Sequence, residues 1–249
     1  MIFLISVIFR FFILNDRTRG ILVIKVVSFD IGGTLIKTKG KSQFRYEMMR
    51  LLERYGVQSS EAIECLRLKD LSIEEFCEQY KLKCIEQVKE LVKRNTYEKE
   101  LYDEVMEVLL ELRKKYKIVA ISNAYSIRTN SLSEYNIGHL FDLELYSFQF
   151  GELKPNIKMY KYVEEKMDVL SKECIHIGDT ENDIEGAKRI GWLSVLLCRN
   201  GKPHRNSRIQ PDYVISDLRE IYEILNHNSY IESFLYTLNQ GVDQRKYLK

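Results

Sequence analysis

Residues 25–35 read Lys-Val-Val-Ser-Phe-Asp-Ile-Gly-Gly-Thr-Leu. An apolar run rich in valine ends in Asp30, and Gly32, Gly33 and Thr34 follow at once. A short apolar run bounded by glycine predicts a buried strand of a parallel sheet. Ligands of open α/β sheets lie beyond the carboxyl ends of the strands, so Asp30 stands where chemistry takes place. The two glycines permit a tight backbone path and leave amide N–H groups near whatever Asp30 meets. Taken alone, the stretch is equally well read as a strand closed by an Asx turn.

Three later stretches change that balance. The run at 117–121 ends in Ser122-Asn123 ahead of a helix predicted at 126–135. A hydroxyl and free amides at a helix start are an anion-binding arrangement. Gly151-Glu152-Leu153-Lys154-Pro155 places a lysine just before a proline that opens a helix predicted at 156–168. The strand predicted at 174–178 runs into Asp179-Thr180-Glu181-Asn182-Asp183. Asp179 ends that strand and Asp183 lies about one helical turn on, so both can face one site. Helix-capping acids explain one of these carboxylates, but not both together with Asp30. Carboxylates so grouped suit Mg²⁺, which keeps several waters and takes one or two carboxylates plus phosphate.

Around these stretches, strands are predicted at 141–147, 194–198 and 213–215, and a further helix at 101–116. Strand–helix alternation predicts an α/β fold, a doubly wound parallel sheet. No GxGxxG follows the first strand, which argues against dinucleotide binding. Between residues 36 and 100 the strand signals stop. Helical stripes cover 42–55, 59–68, 72–82 and 85–92, and Ser72 with Glu75 forms a capping box. The expected organisation is a core of 23–37 and 101–226 with an all-α segment, 38–100, inserted after the first strand.

The chain has 249 residues and a net charge of +2, which gives no global field for nucleic acid or an anionic membrane. Its five cysteines, at 65, 77, 84, 174 and 198, form no CxxC pair and suit reduced thiols in a cytoplasm. Residues 1–22 begin with an apolar stretch, shorter than the ~20 residues of a membrane span; no stable membrane insertion is expected of it. A mis-assigned start, a packed helix and a weak anchor are its three readings. Residues 227–249 alternate aromatic and polar residues as an amphipathic helix would. The loop at 199–208 carries Arg199, Lys202, Arg205 and Arg208 and no acid, and reads first as a solvated basic surface.

In combination, the four stretches resemble the four motifs of the haloacid dehalogenase superfamily, hydrolases and phosphotransferases with an aspartate nucleophile. The first motif of that family is Asp-x-Asp-x-Thr-Leu/Val; Asp30, Thr34 and Leu35 fit it, and Gly32 replaces its second Asp. The resemblance covers about residues 25–226. It implies a Rossmann-like core, with the helical insertion acting as a cap over the site. It implies Asp30, Ser122 and Lys154 as catalytic residues, and Gly33, Thr34, Ser122, Asn123 and Lys154 around a phosphoryl group. It also implies Mg²⁺ held by Asp30, Gly32, Asp179 and Asp183. A small phosphorylated metabolite is then the expected partner, and a monomer or homodimer the expected state.

The family's second Asp protonates the leaving oxygen and activates the water. Such help is typically worth about 10²–10⁴-fold. Its replacement by Gly32 leaves three readings open: a phosphatase for good leaving groups or with an acid borrowed from the cap, a 2-haloacid dehalogenase-type hydrolase, and a weakly active or non-catalytic phosphate-binding protein. Halide needs no proton to leave, so Gly32 suits dehalogenation. That branch is metal-independent and lacks the paired acids of the fourth motif, so Asp179 with Asp183 favours Mg²⁺ and phosphate.

Overall fold

A computed structural model describes residues 23–38, 43–97, 99–127, 132–199 and 209–226. The terminal segments 1–22 and 227–249 and residues 200–208 of the basic loop lie outside them. Residues Lys25–Ile221 cluster as one unit, to which all that follows refers.

The apolar run before Asp30 forms β1 (Val26–Phe29), buried along its whole length. It pairs in parallel with β4 (Lys117–Ser122) on one side and β6 (Cys174–Gly178) on the other. Being covered on both faces, these strands show a continuous apolar run rather than alternation. The sheet is completed by β5 (Leu143–Tyr146), β7 (Leu193–Leu197) and β8 (Tyr213–Ile215), in the order β5-β4-β1-β6-β7-β8, every pair parallel. The strand order reverses at β1. Phe29 lies level with Ala120 and Ile177, so residues just beyond β1, β4 and β6 emerge at one edge, at the topological switch where such sheets bind ligands. The sequence-derived α/β, doubly wound parallel sheet is the observed fold.

Two helices, Ile157–Met167 and Glu181–Ile190, press Met159, Tyr160, Val163 and Ala187 onto Val26, Val119, Ile121 and Leu145 of the sheet. Tyr160 is wholly buried and meets the rings of His176 and Trp192 edge-on, 5.5 and 5.3 Å between centroids.

Helices Phe44–Arg54, Ser59–Leu68, Ile73–Gln79 and Ile85–Tyr97 make up the insertion. Their apolar stripes form a separate cluster built on Phe44, Met48, Leu52, Leu66, Phe76 and Val88. Ile127, with Tyr125 packed against the cluster, joins it from the segment after β4. The predicted Ser72–Glu75 capping box is present, with Ser72 N–H donating to Glu75 Oε2 at 2.8 Å and Glu75 N–H to Ser72 Oγ at 3.1 Å.

The structure differs from the sequence reading in several places. The strand expected at 141–147 is Leu143–Tyr146, and Ser147 instead opens a short helix, Ser147–Phe150. The insertion is not all helix: β2 (Ile36–Thr38) and β3 (Lys99–Leu101) pair antiparallel where it leaves and rejoins the core. Three residues each are too few for period-2 alternation to show. The helix expected at 101–116 is only Val105–Leu112, because Leu101 belongs to β3. Of the helix expected at 126–135, residues 128–131 lie outside the described residues and Leu132–Tyr135 is a 3₁₀ turn. The helix after Pro155 is capped by Asn156, whose side chain accepts from Lys158 N–H.

Gly186 is packed against Tyr160, and a Cβ there would stand 2.4 Å from the phenol oxygen. Ala favours the helix over Gly by about 1 kcal/mol, whereas overpacking a full core costs about 1–3 kcal/mol. Gly186→Ala is therefore expected to lower the urea midpoint at unchanged slope; a raised midpoint would show that the Tyr160 ring can yield.

Candidate active site

The polar groups at the ends of β1, β4 and β6 meet around one ammonium. Lys154 Nζ donates to Asp30 Oδ1 at 2.5 Å, to Asp183 Oδ1 at 2.6 Å and to the Ile121 carbonyl at 2.7 Å. An ammonium has three protons, and each has an acceptor. Lys154 is itself buried, 4 % exposed. Its backbone is held by Asn123, whose side-chain carbonyl accepts from Lys154 N–H (2.8 Å) and whose amide donates to the Lys154 carbonyl (3.1 Å). Asn123 was expected among the phosphate-binding groups; its side chain is engaged in placing the lysine.

Asp30, Asp179 and Asp183 each bring a carboxylate oxygen within 4.8 Å of the others. Three carboxylates against one ammonium leave a formal charge of minus two. Asp183 is saturated: Oδ1 takes Lys154 and His176 Nε2 (3.3 Å), and Oδ2 takes Thr180 N–H (3.1 Å) and the Thr180 hydroxyl (2.5 Å). Asp179 is the opposite case, since its Oδ1 is buried without a hydrogen-bond partner among the described residues. A buried carboxylate oxygen without a donor is costly unless a cation sits against it. The donor set is all hard oxygen, and with that charge deficit it fits Mg²⁺. Asp30 and Asp179 have the oxygens to hold it, whereas Asp183 chiefly orients Lys154.

The loop from Asp30 to Leu35 packs closely against Asp179. Gly33 has φ +84°, and a Cβ on it would lie 2.1 Å from Asp179 Oδ2, so only glycine fits. Gly32 is exposed, with no atom within 4 Å of where a Cβ would stand. Thr34 is fully buried and its hydroxyl has no partner among the described residues. Ser122 is buried at the end of β4, level with Tyr146 of β5.

Several participants escaped the sequence reading. His176 lies buried between Ser28 Oγ (2.9 Å from Nδ1) and Asp183. This fits a neutral ring accepting from the serine at Nδ1 and donating from Nε2; burial also lowers its pKa. A histidine inside the strand Cys174–Gly178 was the available signal, because a buried imidazole needs partners. The Tyr160 hydroxyl donates to the Asp183 carbonyl at 3.4 Å.

Burial raises the Asp30 carboxyl from 3.8 to about 7; Lys154 opposes the rise, while Asp183 and Asp179 add to it. Burial, with the charge of Asp183, raises Asp179 to about 6. Burial would raise Asp183 too, yet the Lys154 charge and the His176 hydrogen bond hold it well below the usual carboxylate range. Lys154 stays charged because Asp183 and Asp30 outweigh its desolvation. The Asp30 carboxyl is thus harder to ionise than an ordinary aspartate, and a further cation beside it would ease that ionisation.

A family model described as haloacid dehalogenase-like hydrolase matches residues 24–191. Glyceraldehyde 3-phosphate phosphatase of Methanocaldococcus jannaschii is 26 % identical over 129 residues, 51 % of this chain and 57 % of that protein. Phosphoglycolate phosphatase of Vibrio cholerae is 28 % identical over 130 residues, 50 % of this chain and 57 % of the relative. The matched stretch is therefore a little over half of each relative's length. A haloacid dehalogenase-type phosphatase from Thermococcus onnurineus superposes with a TM-score of 0.58 at 25 % identity, over 81 % of this chain and 98 % of that one.

The raised carboxyls give a test on stability. A carboxyl with its folded pKa raised contributes stability that is fully present below the unfolded value and is lost as pH rises through the folded one. For Asp30 that window runs from 3.8 to about 7. His176, lowered, acts oppositely near neutrality, so the comparison must isolate Asp30. In chelator, Asp30→Asn is expected to raise the melting temperature at pH 8 by several degrees more than at pH 5. An equal effect at both pH values would show that Asp30 ionises normally.

Proposed function

Because the chain belongs to the haloacid dehalogenase-like hydrolase family, we propose that it is a Mg²⁺-dependent phosphatase of a small phosphorylated metabolite, acting through an aspartyl-phosphate on Asp30. The observation that carries this reading is the buried Asp179 oxygen beside Asp30, which has no hydrogen-bond donor among the described residues, while Lys154 pairs with Asp30 and Asp183. The matched phosphatases support the chemistry by similarity. Among the described residues no helix is long and apolar enough to cross a membrane.

Mg²⁺ held by Asp30 and Asp179, with the Gly32 carbonyl available from the loop, would supply the charge that lets Asp30 ionise and would polarise the phosphoryl group. Lys154 lies against Asp30 Oδ1, which leaves Oδ2 to attack phosphorus. The Asp30–phosphorus bond forms as the bond to the leaving oxygen breaks. Ser122 and the amides of the Gly33–Thr34 turn would receive the phosphoryl oxygens. Water then attacks phosphorus and frees the carboxylate. No carboxyl side chain stands at position 32, so the leaving oxygen takes its proton from water or from the substrate's surroundings. The helical insertion is proposed as a cap that excludes bulk water and reads the non-reacting part of the substrate.

Hydrolysis of p-nitrophenyl phosphate needs little protonation of the leaving group, so the wild-type chain is expected to turn it over with Mg²⁺ and not in chelator. Asp30→Asn is expected to abolish turnover; retained activity would remove Asp30 from the role of nucleophile.

The space at Gly32 makes Gly32→Asp sterically acceptable. On alkyl phosphates, whose leaving groups need a proton, that variant is expected to gain about tenfold or more, with little change on p-nitrophenyl phosphate. No gain on alkyl phosphates would mean that the acid is supplied elsewhere.

A further inference from the structure

Arg199, at the end of β7, lies where the insertion joins the core and makes three distinct contacts. Nη2 donates to the Thr34 carbonyl at 2.8 Å, in the loop that follows Asp30. Nη1 lies 2.5 Å from Oε1 of Glu104, a charge contact without hydrogen-bond alignment, and Glu104 is only 6 % exposed. The guanidinium carbon lies 3.4 Å from the centroid of the Tyr102 ring. One planar cation therefore touches the nucleophile loop and the segment by which the chain returns from the insertion.

These contacts converge on the paired strands. Ile36 lies opposite Leu101 and Thr38 opposite Lys99, and Tyr102 N–H donates to the Leu35 carbonyl at 3.1 Å. Lys37 adds ion pairs to Glu100 (3.4 Å) and Asp103 (3.2 Å), but these are exposed and weak. In the Arg199–Glu104 pair Glu104 is buried and Arg199 partly so, and loss of the arginine would strand the buried carboxylate. Within the Asp30–Leu35 loop, Leu35 and Ile36 N–H donate to the Ile31 carbonyl (both 2.9 Å), and Gly33 N–H to the Ile36 carbonyl (2.8 Å). Any tilt of the insertion must pass through β2 and β3, one residue from this loop.

We propose that Arg199 is a positioning residue, a latch that holds the Thr34 carbonyl and the Tyr102–Glu104 segment together. The loop carrying Gly32 and Gly33 is thereby kept in place beside Asp179. Its charge also acts on Asp179, which agrees with its place but does not carry the proposal. The assignment rests on the phosphatase reading for its kinetic consequence only. Lysine cannot replace the group, because an ammonium lacks the planar fork that reaches Thr34 and Glu104 while stacking on Tyr102.

The test uses the full chain, p-nitrophenyl phosphate with Mg²⁺, and hydrogen exchange read by mass spectrometry. Arg199→Ala is expected to lower kcat about 10–100-fold, the range for residues that orient catalytic ligands, with KM changed less than about threefold. Ethylguanidinium at millimolar concentration is expected to restore turnover saturably. Exchange in the peptide spanning 31–38 is expected to rise. Arg199→Lys, which keeps the charge, is expected to fold and still lose kcat; it serves if the alanine variant does not fold. Unchanged kcat and unchanged exchange in a folded variant overturn the latch. A loss wholly in KM overturns it too, because Arg199 would then be a substrate ligand. If the wild-type chain turns nothing over, the phosphatase reading fails, and the exchange measurement alone still decides the latch.

Discussion

The structure depends on one buried cation. Lys154 brings together the end of β1 through Asp30, the end of β4 through the Ile121 carbonyl, and the helix after β6 through Asp183. Desolvating these charges is costly, and their attraction offsets the cost only while every proton and lone pair has a partner. Each partner is supplied by the fold. Asn123 clasps the Lys154 backbone, Thr180 and His176 complete Asp183, and Ser28 completes His176. The chain Ser28–His176–Asp183–Lys154–Asp30 thus runs from inside the sheet to the carboxylate at the end of β1.

Asp179 is left out of that network, and this asymmetry gives the site its character. Of two acids four residues apart, one is saturated and held well below the usual carboxylate range. The other is raised to about 6, with an oxygen that has no donor among the described residues. Asp30, at about 7, also resists ionising. Three carboxylates so placed could hold a divalent cation, as the proposed function requires.

Much of this was legible in the sequence because its causes are local. A buried strand must be apolar, so the runs ending in Asp30, Ser122 and Asp179 announced both the sheet and the edge at which those residues emerge. The paired carboxylates one helical turn apart were legible for the same reason. What stayed hidden depends on residues far apart in the chain. Ser28 and His176 are 148 positions apart, and Arg199 and Thr34 are 165 apart. Arg199 read as part of a solvated basic loop because nothing near it in sequence reports Glu104 or Tyr102. The β2–β3 pair was missed because it is too short to carry a period. The pairing of the Asn123 side chain with the Lys154 backbone is equally hidden, because the two lie 31 positions apart.

The central claim is that Asp30 becomes covalently phosphorylated. An acyl phosphate is reduced by borohydride to an alcohol, which would convert a phosphorylated Asp30 to homoserine. The measurement is borohydride quenching during turnover of p-nitrophenyl phosphate, with mass analysis of the peptide containing residue 30. Homoserine at that position, dependent on both substrate and Mg²⁺, is the predicted result. Steady turnover with position 30 unmodified, or the same modification in chelator, would contradict the account.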